Sequence, residues 1–187
     1  MKYPNSGKVY EKPNVYAGNR GMSLEEDINR TNRYYLSEDF AVIHKKPTPI
    51  TIVHVDYPKR SAAKIDEAYF KLASTTDYNG IFKGKYIDFE AKECESNTSF
   101  PFSSIHPHQI EHLRKVTKHG AIAFIILRLV NFDKDFLIKA NDFIGFYDST
   151  TRKSLPFKWV EENGFEIPRT YTKPCDYLST VVKVFGV

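Results

Sequence analysis

DYNGIFKGKYIDFEAKE, residues 77–93, decides the reading of the fold. Tyr86 to Glu93 alternates without a break. Tyr86, Asp88, Glu90 and Lys92 face one way, and Ile87, Phe89 and Ala91 face the other. An apolar face backed by a charged one predicts a sheet strand with one side on a core. Upstream, Asp77-Tyr78-Asn79-Gly80 reads as turn chemistry and Ile81-Phe82 as the start of a strand. Lys83-Gly84-Lys85 turns the chain back. A hairpin of this kind returns Asp77 to the end of the strand that carries Glu90 and Lys92.

Outward from this hairpin, the elements alternate in type. Ser23 with Glu26 three residues on predicts a capping box, and Leu24, Ile28, Thr31 and Tyr35 recur at helical spacing to about Leu36. Phe40–His44 and Ile50–Tyr57 read as strands, broken by Pro47 and Pro49, and together predict a projecting basic hairpin. PHQIEHLRKVTK (107–118) predicts a helix with Pro107 at its start and Gly120 past its end. AIAFIILRLV (121–130) is nearly all apolar and predicts a strand buried on both faces. A short strand at 136–138, a helix over about 141–147 and a C-terminal helix over about 176–185 complete the order. The expectation is an α/β fold, a mixed central sheet flanked by helices.

The chain has 187 residues, 41% of them apolar and 14% aromatic, enough for one core and too few for two full ones. No apolar run approaches a membrane span, and the first residues have no signal-like apolar stretch. Cys94 and Cys175 alone make no disulfide framework, which suits a reducing, cytoplasmic setting without membrane association. The net charge is +4, but it is segregated. Residues 1–22 carry +3, residues 23–39 carry −3 and residues 40–65 carry +4. Residues 1–20, rich in Asn, Gly, Pro and Lys, read as a flexible basic arm, followed by one domain over 21–187. Basic segments set apart from the rest suit a polyanion partner, although an ordinary solvated surface has the same composition.

The chemistry centres on Asp77, Glu90 and Lys92. Residues i and i+2 share a strand face, so the carboxylate of Glu90 and the ammonium of Lys92 sit over one spot. Asp77 adds a second carboxylate there. Paired carboxylates bind a hard divalent cation through oxygen, and Mg²⁺ among them retains room for water and phosphate. A lysine beside a scissile phosphate offsets developing negative charge. These parts suit phosphodiester hydrolysis. The acidic helix before them offers Glu25 or Glu26 as a further carboxylate. The bare pattern also occurs on solvent-facing strands of alternating charge. No Gly-rich phosphate loop competes with it. His106, His108 and His112 invite zinc, but neither cysteine lies at a useful spacing.

GNRGMSLEEDINRTNRYY (18–35), HKKPTPITIVHVDYPKR (44–60), EAYFKLASTTDYNGIFKGKYIDFEAKE (67–93) and FPFSSIHPHQIEHL (100–113) resemble the RecU family of Holliday junction resolvases of Gram-positive bacteria. The resemblance implies a restriction-endonuclease-like nuclease fold, a homodimer, and Mg²⁺ as cofactor with Mn²⁺ able to substitute. It implies paired incisions in four-way junction DNA, in recombination and repair, with the strand-exchange recombinase as a further partner. It makes Asp77 and Glu90 metal-binding catalytic carboxylates and Lys92 the transition-state stabiliser. It places Thr75 and Gln109 at the metal site and an active-site acid at Glu25 or Glu26. The segment 44–66 falls on the family's stalk, with Lys45, Lys46, Lys59 and Arg60, together with Arg20, as expected DNA contacts. A restriction- or repair-type nuclease acting on duplex would carry the same site. A DNA-binding module without catalysis would keep the basic segments without needing the carboxylates.

Overall fold

The structure, a computed structural model, describes residues 23–56, 64–71 and 75–187. The expected arm at 1–20, with Arg20, and the basic pair Lys59 and Arg60 lie outside the described residues. In chain order the elements are α1 (Leu24–Ser37), β1 (Val42–Lys45), β2 (Ile50–Asp56), β3 (Lys64–Phe70), β4 (Tyr78–Phe82), β5 (Lys85–Cys94) and β6 (Ser99–Pro101). Then come α2 (Pro107–Lys118), β7 (Ile122–Leu129), β8 (Lys134–Lys139), α3 (Ala140–Ser149), β9 (Ser154–Pro156), α4 (Phe157–Asn163), β10 (Phe165–Glu166) and α5 (Tyr177–Phe185). None of these helices is long and apolar enough to cross a membrane.

Six strands form the central sheet in the order β1-β4-β5-β7-β8-β10. Among the described residues of this sheet, only β5 and β7 run parallel. Their connection passes through α2, because a parallel pair needs a crossover. β7 is buried along its whole length, as its unbroken apolar run requires. One face of the sheet packs on α1 and α5 through Leu24, Ile28, Tyr35, Phe89, Phe124 and Tyr177. The other packs on α2, α3 and α4 through Leu113, Ile125, Leu127, Ile138, Phe143 and Val160. The result is the expected mixed sheet between helical layers. α1 starts as expected: the Ser23 hydroxyl accepts from Glu26 N–H at 3.3 Å, and Glu26 Oε2 accepts from Ser23 N–H at 3.1 Å.

Two expectations fail. Residues 78–80 are strand, not turn. Gly80 is there because β1 crosses so close that a Cβ would stand 2.1 Å from the Val42 carbonyl oxygen. The reversal comes three residues later, at Lys83 and Gly84, both with positive φ. The strands at 40–44 and 50–57 also do not pair with each other. β1 joins the edge of the main sheet, while β2 pairs with β3, a strand whose mixture of charge and aromatics hid it. This separate two-stranded ribbon exposes Ile50, Ile52, Val53, Ile65, Tyr69 and Phe70.

Candidate active site

The site forms where β4, β5 and α2 meet. Tyr78 pairs with Phe89, so one step further the antiparallel register puts Asp77 opposite Glu90. Asp77 Oδ2 accepts the Ala91 N–H at 3.3 Å, which turns its carboxylate onto β5. Glu90 is fully buried. Its Oε1 receives Lys92 Nζ at 2.5 Å and Gln109 Nε2 at 2.8 Å. Its Oε2 is buried and has no hydrogen-bond partner. Burial, and then the nearby charge of Asp77, pushes the Glu90 carboxyl up to about 7, with Lys92 opposing.

Gln109 is oriented by its own helix. Its Oε1 accepts the His106 N–H at 2.9 Å, which leaves the amide nitrogen for Glu90. Its side chain therefore holds Glu90 through the amide nitrogen, at the site where the resemblance placed it. Thr75 is half-buried, and among the described residues its hydroxyl reaches the Thr76 carbonyl, at 3.5 Å. Glu25 and Glu26 are both occupied elsewhere. Glu25 Oε1 lies 2.5 Å from Lys45 Nζ, and Glu26 closes the capping box. Among the described residues no three His, Cys, Asp or Glu side chains gather where they could hold a metal ion. The acidic component here is the pair Asp77 and Glu90.

That pair fits a divalent cation. Two carboxylates face one another, Glu90 buried and Asp77 half-buried, one oxygen of Glu90 has no hydrogen-bond partner, and their repulsion raises a pKa. A hard cation relieves all three conditions.

Asp88, two residues before Glu90 on the same face, is saturated instead. Oδ2 accepts Lys46 Nζ at 2.9 Å and the Tyr86 hydroxyl at 2.9 Å, with His112 Nε2 at 3.1 Å. Oδ1 accepts the Thr76 hydroxyl. Burial alone would raise its carboxyl, but the bonds from Thr76, Lys46 and His112 outweigh it and hold it below the ordinary value. Lys46, expected on DNA, thus spends its ammonium inside the protein, while His106 and His108 stack on one another at 5.3 Å.

Sequence reasoning missed the support around the site. Glu93 Oε1 accepts Leu24 N–H at 2.8 Å and fastens the start of α1 to β5. Asp27, buried in the first turn of α1, meets Arg128 Nη2 at 2.7 Å. Arg128 also holds Asp135, which Arg169 bonds in turn. An arginine in the otherwise apolar run 121–130 was the available signal, since a buried charge demands partners.

The family model described as Recombination protein U matches residues 19–183. The chain belongs to the RecU family. The Holliday junction resolvase RecU of Geobacillus sp. (strain WCH70) is 52% identical, over 99% of this chain and 98% of its own. The same-named protein of Pediococcus pentosaceus is 54% identical, over 92% and 87%. Among solved structures, Archaeoglobus fulgidus Hjc, a Holliday junction resolvase, is similar with a TM-score of 0.41 and 14% identity, over 74% of this chain and 94% of that one. That last likeness is too slight to assign any residue. The matched region runs from before α1 into α5, so every element that builds the site lies inside it.

Proposed function

We propose that this chain is a structure-selective endonuclease that resolves Holliday junctions by Mg²⁺-dependent phosphodiester hydrolysis, acting as a homodimer. The observation that carries the reading is the buried Glu90 carboxylate, with one unsatisfied oxygen, facing Asp77 and touched by Lys92. The RecU relatives, named as Holliday junction resolvases, supply the substrate class.

Asp77 and Glu90 are the residues to hold the cation, which would supply positive charge at the scissile phosphate. Gln109 fixes Glu90 from behind. Lys92, partly exposed beside Glu90, offsets negative charge as it develops on the phosphoryl oxygens. Burial on the α2 side keeps the Glu90 carboxylate out of bulk water, so its interactions are stronger than at a surface. Thr75 lies two residues before Asp77, and Glu25 is the candidate for a third acid once its solvent-exposed pair with Lys45 opens, since Glu26 is committed to its helix cap. Lys45, Lys59, Arg60 and Arg20 are the proposed DNA contacts.

A four-way junction has approximate two-fold symmetry, so an isologous dimer puts two sites on opposed strands. The ribbon supports a dimer: a two-stranded sheet is marginal alone, and its exposed apolar residues ask for a cover. A mixed role in recombination, with contact to the strand-exchange recombinase and a cytoplasmic location, follows from the same reading.

The test is incubation with a synthetic four-way junction and with linear duplex, each with and without Mg²⁺. The expected outcome is Mg²⁺-dependent, symmetric nicking of the junction only. Equal cutting of duplex would move the reading to a restriction- or repair-type nuclease. Asp77→Asn and Glu90→Gln should each lower cutting by about a hundredfold or more while sparing junction binding. Near wild-type cutting by either variant refutes the site.

A further inference from the structure

We propose that Lys46 is a positioning residue for Asp77, through which the ribbon is coupled to the active site. The proposal rests on the function argued above and goes beyond it, because Lys46 then acts on a catalytic carboxylate and not on DNA.

Lys46 is clamped to the segment that bears Asp77 in two ways. Its backbone N–H donates to the Asp77 carbonyl oxygen at 2.8 Å, one step beyond the Lys45–Tyr78 pair of the β1–β4 ladder. Its Nζ donates to Thr76 Oγ1 at 2.8 Å and to Asp88 Oδ2 at 2.9 Å. Thr76 bonds Asp88 as well. The residue just before Asp77 and the Asp77 peptide itself are therefore both held by one lysine. Asp88 is a fixed post for that lysine, since Tyr86 and His112 also hold it.

The lysine is poorly placed for a phosphate. Its side chain is only 18% exposed and the carboxylate it meets is wholly buried. Lys45 next to it shows the opposite behaviour: its partner Glu25 is an exposed side chain, and both are open to solvent. The last lysine of β1 and the one just past its end thus divide the work, one outward and one inward, as the alternation of extended backbone dictates.

Lys46 is also the last residue before Pro47, and the ribbon starts at Ile50. Two prolines in that three-residue link, Pro47 and Pro49, remove backbone freedom. Lys71 N–H closes the base of the ribbon on the Pro49 carbonyl at 2.9 Å. A shift of the ribbon on a junction is then passed to Lys46 and on to Asp77.

The experiment uses the full chain and a synthetic four-way junction. Junction affinity is measured without divalent cation, and single-turnover cutting is measured at saturating protein over a Mg²⁺ series. Lys46→Met should keep affinity within roughly threefold of wild type. Its saturated cutting rate should fall about 10- to 100-fold, and half-maximal rate should need more Mg²⁺. Lys46→Arg should recover part of the rate. Asp88→Asn should lower the rate, and its combination with Lys46→Met should cost little more than either alone, since both break one clamp. Lys45→Met should show the reverse split, a loss of affinity with little loss of saturated rate.

Lys46→Met with weakened affinity but a wild-type saturated rate overturns the proposal and makes Lys46 a phosphate contact. Wild-type values in both measurements overturn it too. If thermal melting shows Lys46→Met unfolded, Lys46→Arg and Asp88→Asn decide: wild-type saturated rates in both overturn the proposal. A wild-type protein that leaves the junction intact refutes the proposed function, a result distinct from any difference among the variants.

Discussion

Glu90 concentrates the electrostatics of the candidate site in one side chain. Its carboxyl is held near 7 by burial and by Asp77, against an ordinary value of 4.5. A raised folded-state value means that the folded protein keeps this proton after the unfolded chain has lost it. The associated stability is fully present below about pH 4.5 and is lost as pH rises to about 7. The expected outcome, without divalent cation, is a urea midpoint that falls across that window and is flat above it. Glu90→Gln should make the fall smaller, because an amide does not titrate, while Asp27, also raised by burial, still contributes. A midpoint with the same pH profile in both proteins would contradict the placement of Glu90. The same balance makes cation binding weaker as pH drops below about 7, since the ligand is the deprotonated carboxylate.

At the scale of elements, the β1–β4 junction matters most for the site. β4 delivers Asp77 to β5, and β1 holds β4 from outside through four register pairs. Gly80 permits that approach, since its missing Cβ is where the Val42 carbonyl oxygen stands. Gly80→Val should destabilise the fold by about 2 kcal/mol, read as a lower urea midpoint, because backbone and not a flexible side chain must move. Cutting should fall with it as β1 and β4 separate. A variant as stable as wild type would mean that β1 does not pair as described. The glycine was visible in the sequence, but beside Asn79 it looked like turn chemistry. Only the neighbouring strand shows why a residue without a Cβ is needed.

Across the whole molecule, α1, two central strands and the segment before α5 are tied together on one face of the sheet by a buried ion network. Arg128 on β7 meets Asp27 of α1 and Asp135 of β8, and Arg169 near the C-terminus bonds Asp135 as well. Removing one member leaves buried charges uncompensated. Arg128→Met should cost about 3–5 kcal/mol in urea unfolding. It should also loosen the start of α1, detectable as faster amide exchange at residues 24–28. A cost below about 1 kcal/mol would show that the network is only a surface contact.

The sequence by itself determined the strand at 86–93, the face shared by Glu90 and Lys92, the buried strand at 121–130, and the helices at 24–36, 107–118 and 176–185. All of these follow from local periodicity and capping, which act over a few residues. It also determined that Asp77 belongs with Glu90, because a hairpin is a short-range device. Tertiary structure alone decided that Lys46 turns inward to Asp88, that Gln109 presents its nitrogen to Glu90, and that Glu25 and Glu26 are engaged elsewhere. It alone paired β2 with β3 and sent β1 to the sheet edge. Those outcomes depend on which charged group finds which partner once water is excluded, and on strand pairings between distant segments. Neither leaves a periodic trace in the chain.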